Sequence, residues 1–298
     1  MHAHRIPQLR VISSTDWRDY ELIDSGNGET LERFGPYTLI RPEPQAIWHR
    51  SASEEIWRNA DAVMVPTGGE SGGYWTYHHP IKQPWIIDYK GLKSEIRLSQ
   101  SRHIGLFPEQ ACHWDWIERQ IQSAGRSMRV INLFGYTGMA TAAAARAGAQ
   151  VTHVDASKHA VAWASRNLDL CNLGDAPVRW LTEDARKYLA REARRKSYYD
   201  GIILDPPKFG RGPGGKVWEY FKDIIDLLQQ CRAVLSSRPK FICLTSYAIQ
   251  ASAYVPHQAL AEVLEGLGGK LESGELISID QNQRHVLSHA LYSRWTAN

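Results

Sequence analysis

Apolar residues fall in short runs through the second half of the chain. Val130, Ile131, Leu133 and Phe134 form the first, closed by Gly135. An alanine-rich segment follows at 139–147, then Gly148, then a second strand at 150–154. Short apolar runs mark strands buried on both faces, as in a parallel sheet. Small alanines favour helix and let it lie close against a sheet, and Gly148 suits a helix C-cap. The alternation continues with a helix at 157–168, a strand at 178–181 and a basic helix at 186–196. The strand at 199–204 is stopped by Asp205-Pro206-Pro207, because two prolines cannot continue a ladder. An amphipathic helix over 217–235 puts Phe221, Ile224, Leu228, Cys231 and Leu235 on one face. A strand at 240–246, a helix at 254–267 and two closing strands at 270–278 and 285–294 complete the pattern. It predicts an α/β domain over 100–298 with a mostly parallel, seven-stranded sheet.

Residues 1–99 are patterned differently. Glycines and prolines punctuate short strand-like runs at 37–40, 73–77, 85–89 and 94–98, with a short helix or turn at 53–58. This predicts a small β-rich N-terminal domain. Arg33, Arg41, Arg50, Arg58, Lys82, Lys90, Lys93 and Arg97 are interleaved with Trp48, Trp57, Trp75 and Trp85. Such a mixture suits either an RNA-facing surface or a solvated exterior over an aromatic core, and packing is the stronger explanation. Residues 101–110 bridge to the α/β region. Pro108 there suits a first helical turn, and Trp114, Ile117 and Ile121 then recur at helical spacing. His113, beside Trp114 and Trp116, reads as structural rather than catalytic.

Composition narrows the classes. At 298 residues, 43% hydrophobic and 22% charged, the chain reads as a globular protein. Nothing approaches the run of about 18 apolar residues that a membrane-spanning helix needs. Met1 to Arg5 leads into no apolar core, so no secretory signal is expected. Cys112, Cys171, Cys231 and Cys243 are scattered, which predicts reduced thiols in a cytoplasmic protein and no metal site. A net charge of +3 is compatible with a nucleic-acid partner without requiring one.

The chemistry gathers at strand ends. Gly135-Tyr136-Thr137-Gly138 follows the first strand, and Asp155 ends the second, 20 residues beyond Gly135. That is a nucleoside-binding βαβ unit, with the acid placed for ribose hydroxyls. A dinucleotide asks for G-x-G-x-x-G, so that a pyrophosphate can approach the backbone. Here the two glycines are three apart, a spacing that favours S-adenosylmethionine, which carries no phosphate, over NAD. Asp184 after the third strand can meet an adenine amino group or cap the next helix, and the roles are compatible. Asp205-Pro206-Pro207 puts a carboxylate and rigid carbonyls at the sheet's carboxyl edge, where open α/β sheets bind ligands. The glycine-rich loop 210–216 follows, with Arg211 and Lys216 available for phosphates.

Taken together, Asn132-Leu-Phe-Gly-Tyr-Thr-Gly138, Asp155-Ala-Ser157, Glu183-Asp-Ala185 and Asp205-Pro-Pro-Lys-Phe209 resemble the class I S-adenosylmethionine-dependent methyltransferases. Among them the chain is similar to the bacterial large-subunit ribosomal RNA methyltransferases that modify cytosine C5 or guanine N7. The resemblance implies a Rossmann-like fold, S-adenosylmethionine as cofactor, S-adenosylhomocysteine as product, and RNA as partner. It implies that Phe134, Gly135, Thr137 and Gly138 line the methionine end, with Tyr136 also binding the cofactor and Phe107 closing over it. Asp155, Ala156 and Ser157 would hold ribose and adenine, with Asp184 and Ala185 at the adenine edge. Asp205, Pro206, Pro207 and Lys208 would face the reacting atoms. One departure matters: cytosine-C5 members place a cysteine after Asp-Pro-Pro or at the end of the fifth strand. Here Lys208 and Thr245-Ser246-Tyr247 stand there, and Cys243 lies mid-strand. Without a thiolate, transfer to a nitrogen that already carries a lone pair is expected, by direct in-line attack. A protein or small-molecule acceptor, an NAD-dependent oxidoreductase and a non-catalytic RNA-binding module remain the alternatives. Nothing in the sequence specifies an oligomeric state.

Overall fold

A computed structural model describes residues 7–68, 72–211 and 217–298, without the side chain of Arg211. Lys216 and most of the glycine-rich loop therefore lie outside the described residues, as does Arg211's expected phosphate contact.

The N-terminal part holds β1 (Leu9–Ser13), β2 (Tyr20–Gly26), β3 (Glu29–Phe34), β4 (Tyr37–Pro42), α1 (Glu54–Arg58), β5 (Ala62–Pro66), β6 (Gly73–Tyr77), β7 (Trp85–Tyr89) and β8 (Leu92–Ile96). After a 3-10 turn at Pro108–Gln110 come α2 (Ala111–Ser123), β9 (Arg129–Leu133), α3 (Met139–Arg146), β10 (Gln150–Asp155), α4 (Lys158–Leu170), β11 (Val178–Thr182) and α5 (Ala185–Arg194). The chain ends with β12 (Gly201–Leu204), β13 (Phe209–Arg211), β14 (Val217–Glu219), α6 (Tyr220–Ala233), β15 (Phe241–Tyr247), α7 (Tyr254–Val263), β16 (Lys270–Ile279) and β17 (Val286–Thr296).

The main sheet runs β1-β16-β17-β15-β12-β9-β10-β11. All pairs are parallel except those made by β17, which is antiparallel to β15 and β16. The seven strands expected from 100–298 are all present, and Leu9–Ser13 adds an eighth beside β16. Gly274 permits that pairing, since a Cβ there would sit 1.6 Å from the carbonyl oxygen of Arg10. Strand order reverses between β9 and β12: β10 follows β9 on one side, and β12 and β15 lie on the other. The carboxyl ends of β9 and β12 therefore open the crevice where such sheets take ligands.

One expected element is shorter than its apolar pattern. Helix α6 starts at Tyr220, and 217–219 instead form β14, antiparallel to β13. Trp218 pairs opposite Gly210 in that hairpin and is buried, whereas Phe209 and Val217 are exposed. The alternation of the hairpin, period two, overrides the helical reading of its last three residues.

The N-terminal strands form a five-stranded sheet, β2-β3-β4-β5-β6, and a separate β7–β8 pair. One small buried cluster, Leu31, Ile40, Trp57 and Ala60, belongs to this part alone, but most of its buried aromatics face the α/β region. Tyr20, Phe34, Trp75, Ile87 and Tyr89 belong to one buried cluster with Trp114, Ile117, Val130 and Ala142. Trp17 meets the rings of Tyr89 at 4.7 Å, Tyr20 at 5.9 Å and Trp114 at 6.1 Å. Trp57, Trp75 and Trp85 are buried, so the tryptophans of this region mainly pack.

Candidate active site

The site begins with the tight turn between β9 and α3. Phe134, Tyr136 and Gly138 have φ of 58°, 46° and 80°. Gly135 lies against His153, whose ring would be 2.4 Å from a Cβ, and a Cβ on Gly138 would be 2.7 Å from that of Ala164. Gly138 thus meets two demands, left-handed backbone and contact with α4. Both glycines serve helix and sheet packing, and this lets the turn's backbone face the crevice.

Asp155 holds the turn to the next loop. One carboxylate oxygen accepts the Tyr136 N–H at 2.9 Å and the other the Ser157 N–H at 2.8 Å. Burial raises its pKa, and these two backbone bonds oppose the shift. Each oxygen has a further lone pair, so the fixed carboxylate can still accept from a vicinal diol. Thr137 turns away from that role. Its hydroxyl donates to the Gly105 carbonyl at 2.7 Å, and Asn167 donates to the Thr137 carbonyl at 2.9 Å. These bonds clamp the bridging segment onto the turn and bring Phe107 5.8 Å from the Tyr136 ring and 5.1 Å from the Tyr247 ring.

Two adjoining cavities result, and Phe134 and Asp205 line both. The larger, about 310 Å³, is walled by Asp155, Ala156, Ser157, Asp184, Ala185 and Trp218. The smaller, about 70 Å³, runs under Phe107 and Gln110 along Gly135, Tyr136, Thr137 and Gly138. The residues expected at the two ends of a cofactor therefore separate into two connected spaces. Asp184 caps α5 by accepting the Lys187 N–H at 3.0 Å while it lines the larger one. Pro207 lines that cavity; Pro206 is buried and lines neither. Lys208 lines neither, and its backbone carbonyl accepts the Tyr220 N–H at 3.0 Å.

Among the described residues, no lysine or arginine lines either cavity. Asp155, Glu183, Asp184 and Asp205 do, with Glu183 paired to Arg191 at 2.8 Å. A pyrophosphate would meet acids there, while a sulfonium cation would meet favourable charge. An adenosine bearing a cationic tail fits this lining: an acid for the diol, an apolar wall from Phe134 and Trp218, and, among the described residues, no lysine or arginine in the wall itself.

At the edge of the cleft Asp205 accepts from Gln110 at 3.2 Å. Burial, then the charge of Glu109, pushes its carboxyl up to about 8. Glu109 itself accepts from the Tyr247 hydroxyl at 2.6 Å, and Tyr220 and Ser246 hydroxyls meet at 2.7 Å. Cys243 is buried mid-strand, and its thiol is pushed up to about 12 by burial. A thiol so placed is not a thiolate near neutral pH.

Sequence reasoning did not find Gln110 or Trp218 as cavity-lining residues, nor the Glu109–Tyr247 pair behind Asp205. Trp218 had a signal: Phe-Gly-Arg and Val-Trp-Glu flank a glycine-rich connector, as hairpin strands do. Its indole N–H donates to the Pro207 carbonyl, and Arg186 lies over its ring at 5.3 Å. The other three come together only because the 3-10 turn at Pro108–Gln110 meets Asp205 after β12 and Tyr247 at the end of β15. Elsewhere, Asp24, Asp280 and His285 place ligand atoms within 4.8 Å of one another. Ser51, Ala52 and Trp57 already donate to Asp24 there.

Comparison with known proteins places this geometry. A family model described as S-adenosylmethionine-dependent methyltransferase matches residues 64–257. A solved S-adenosylmethionine-dependent methyltransferase from Agrobacterium tumefaciens is 42% identical, with a TM-score of 0.92, over 99% of this chain and 97% of that one. The SMU.776 protein complexed with SAH shares the fold at 18% identity and a TM-score of 0.72, over 95% of this chain and 76% of that one. The ribosomal RNA large subunit methyltransferase K/L of Pseudoalteromonas translucida is 33% identical over 62% of this chain and 26% of its own length. Its counterpart in Magnetococcus marinus is 35% identical over 50% of this chain and 20% of its own length. The chain thus spans about a quarter of the first of these curated relatives and less of the second.

Proposed function

The chain belongs to the S-adenosylmethionine-dependent methyltransferase family, and from that premise we propose that it methylates RNA, ribosomal RNA first, at a nitrogen atom. The observation that carries the choice of atom is the reactive edge. It offers the Asp205 carboxyl and the Asp-Pro-Pro turn, while the neighbouring thiol, Cys243, is buried and protonated. Carbon methylation of cytosine needs a nucleophile added to the ring first, and a lone pair on nitrogen does not.

The family's cofactor supplies an electrophilic methyl group on a sulfonium. In this reading Asp155 accepts from the ribose hydroxyls, Ala156, Ser157, Asp184 and Ala185 border the adenine, and Phe134 and Trp218 exclude water. Phe107 and the 135–138 turn enclose the methionine end. Asp205, with the carbonyls of the Pro206-Pro207 turn, accepts hydrogen bonds from the target amine and aligns its lone pair for in-line attack. Lys208, next in the chain after Pro207, is assigned to a phosphate of the RNA. The RNA likeness of the K/L relatives supports the acceptor class, and the five-stranded N-terminal sheet within 1–99 is assigned to substrate recognition. A cytoplasmic location follows from that acceptor.

Transfer of tritiated methyl groups into ribosomal RNA from a strain lacking the protein tests the reading. Label in RNA, mapped by nuclease digestion to an N-methylated nucleoside, is expected. Label in protein alone, or in C5-methylcytosine, would overturn it.

A further inference from the structure

The smaller cavity does not stop at the glycine turn. It continues inward beneath Gln110 to Asn132, Ile203 and Cys243, and His113 on α2 forms part of its wall. His113 is 1% exposed, and neither ring nitrogen has a hydrogen-bond partner. The Tyr292 ring packs edge-on at 5.5 Å. Burial and the nearby positive charge of Arg294 push its pKa well below the ordinary range, so the imidazole is neutral. A neutral imidazole carries one N–H donor and one acceptor. Leaving both unpaired in an interior is costly, whereas an apolar residue of similar size would fill the same space without that cost. An unpaired buried group of this kind, lining a cavity, marks a place for a polar ligand.

What can reach it is limited by the route. The smaller cavity shares Phe134 and Asp205 with the larger one, so its ligand is taken as the far end of whatever occupies the larger cavity. No lysine or arginine among the described residues lines the smaller one, so a carboxylate entering it must be held by neutral donors. We infer that His113 is the inner anchor of an aminocarboxylate subsite, donating its N–H to the carboxylate of the cofactor's methionine end. The ammonium of the same end then lies toward Asp205. The inference rests on the cofactor placement proposed above, and it gives a binding role to a histidine whose sequence surroundings read as structural.

Two ligands separate the tail from the nucleoside. S-adenosylhomocysteine carries the aminocarboxylate, and 5′-methylthioadenosine lacks it. Calorimetry on the full chain is expected to show His113→Phe weakening S-adenosylhomocysteine at least tenfold, with methylthioadenosine unchanged within twofold. Equal losses for both ligands, or no loss for either, would overturn the inference. Because His113→Phe could disturb packing, the wild-type protein is also read by nitrogen-15 NMR of its histidines. The His113 ring resonances, identified by their absence in His113→Gln, are expected to move with S-adenosylhomocysteine and stay with methylthioadenosine. No movement at saturation means that only water fills the space. Asp155→Ala serves as the control for placement. If it leaves methylthioadenosine affinity intact, the nucleoside placement falls and takes this inference with it. If it abolishes nucleoside binding while His113 ignores the tail, only this inference falls.

Discussion

Asp205 shows how much a single carboxyl can be altered by its surroundings. Its folded pKa, about 8, lies above the ordinary carboxylate value of 3.8. The native state therefore holds a proton that the unfolded chain has lost, and this contribution to stability disappears as pH rises from about 4 through 8. Asp205→Asn should accordingly gain melting temperature relative to wild type between pH 5 and 8.5, as measured by thermal scans across that range. A sulfonium beside Asp205 favours the ionised form. Binding of S-adenosylmethionine at pH 7 should thus release more protons than binding of S-adenosylhomocysteine, a difference read by calorimetry in phosphate and Tris buffers. Cys243 makes the opposite case, a reactive residue type in an inert place. Cys243→Ala is expected to keep methyl transfer within about threefold, at a stability cost of roughly 1 kcal/mol from the lost packing. Abolished turnover in a well-folded variant would restore the thiolate route. Gly138→Ala combines a φ of 80° with a clash against Ala164 and should cost about 1–3 kcal/mol in urea denaturation.

At the scale of elements, the βαβ unit was legible because each local signal agreed. Apolar runs ended in glycine or acid at the same sheet edge, and β9, α3 and β10 lie within one or two residues of their expected bounds. The β13–β14 hairpin was missed because its last strand is three residues long and runs directly into an amphipathic helix. That hairpin carries Trp218 onto the larger cavity and ties it to Pro207. Trp218→Phe keeps an apolar wall but removes the indole N–H. It should lower methyl-transfer turnover more than affinity for S-adenosylhomocysteine, which single-turnover kinetics beside calorimetry would separate; an equal fall in both would make the indole a binding group only.

For the whole molecule, the N-terminal strands and the α/β region share a core. Trp17, Tyr20, Phe34 and Tyr89 pack with Trp114 and the helices behind β9, and β1 extends the main sheet. Burial of this kind contributes about 25 cal/mol per Å² of apolar surface, and removing it exposes the same area on the remaining part. A fragment of residues 100–298 should therefore fail to fold cooperatively, seen as broad thermal transitions and poor amide dispersion by NMR. A sharp transition would show that the α/β region stands alone. The recognition role assigned to the N-terminal sheet is then coupled to the fold, since Arg41 donates at 3.2 Å to the Arg102 carbonyl in the segment that leads to Phe107.

The sequence by itself determined the α/β alternation, the turn at 135–138, the acid at 155 and the Asp-Pro-Pro edge. These depend on periodicity, on backbone freedom at glycine and on the missing N–H of proline, all of which are local. Only the tertiary structure decided that Thr137 is spent on Gly105, that Asp205 sits near Glu109 and that His113 lines a cavity with both nitrogens unpaired. It likewise decided that Leu9–Ser13 closes the main sheet. Those facts arise from groups far apart in the chain meeting in an interior where water is excluded, and desolvation there sets their charge and their need for a partner.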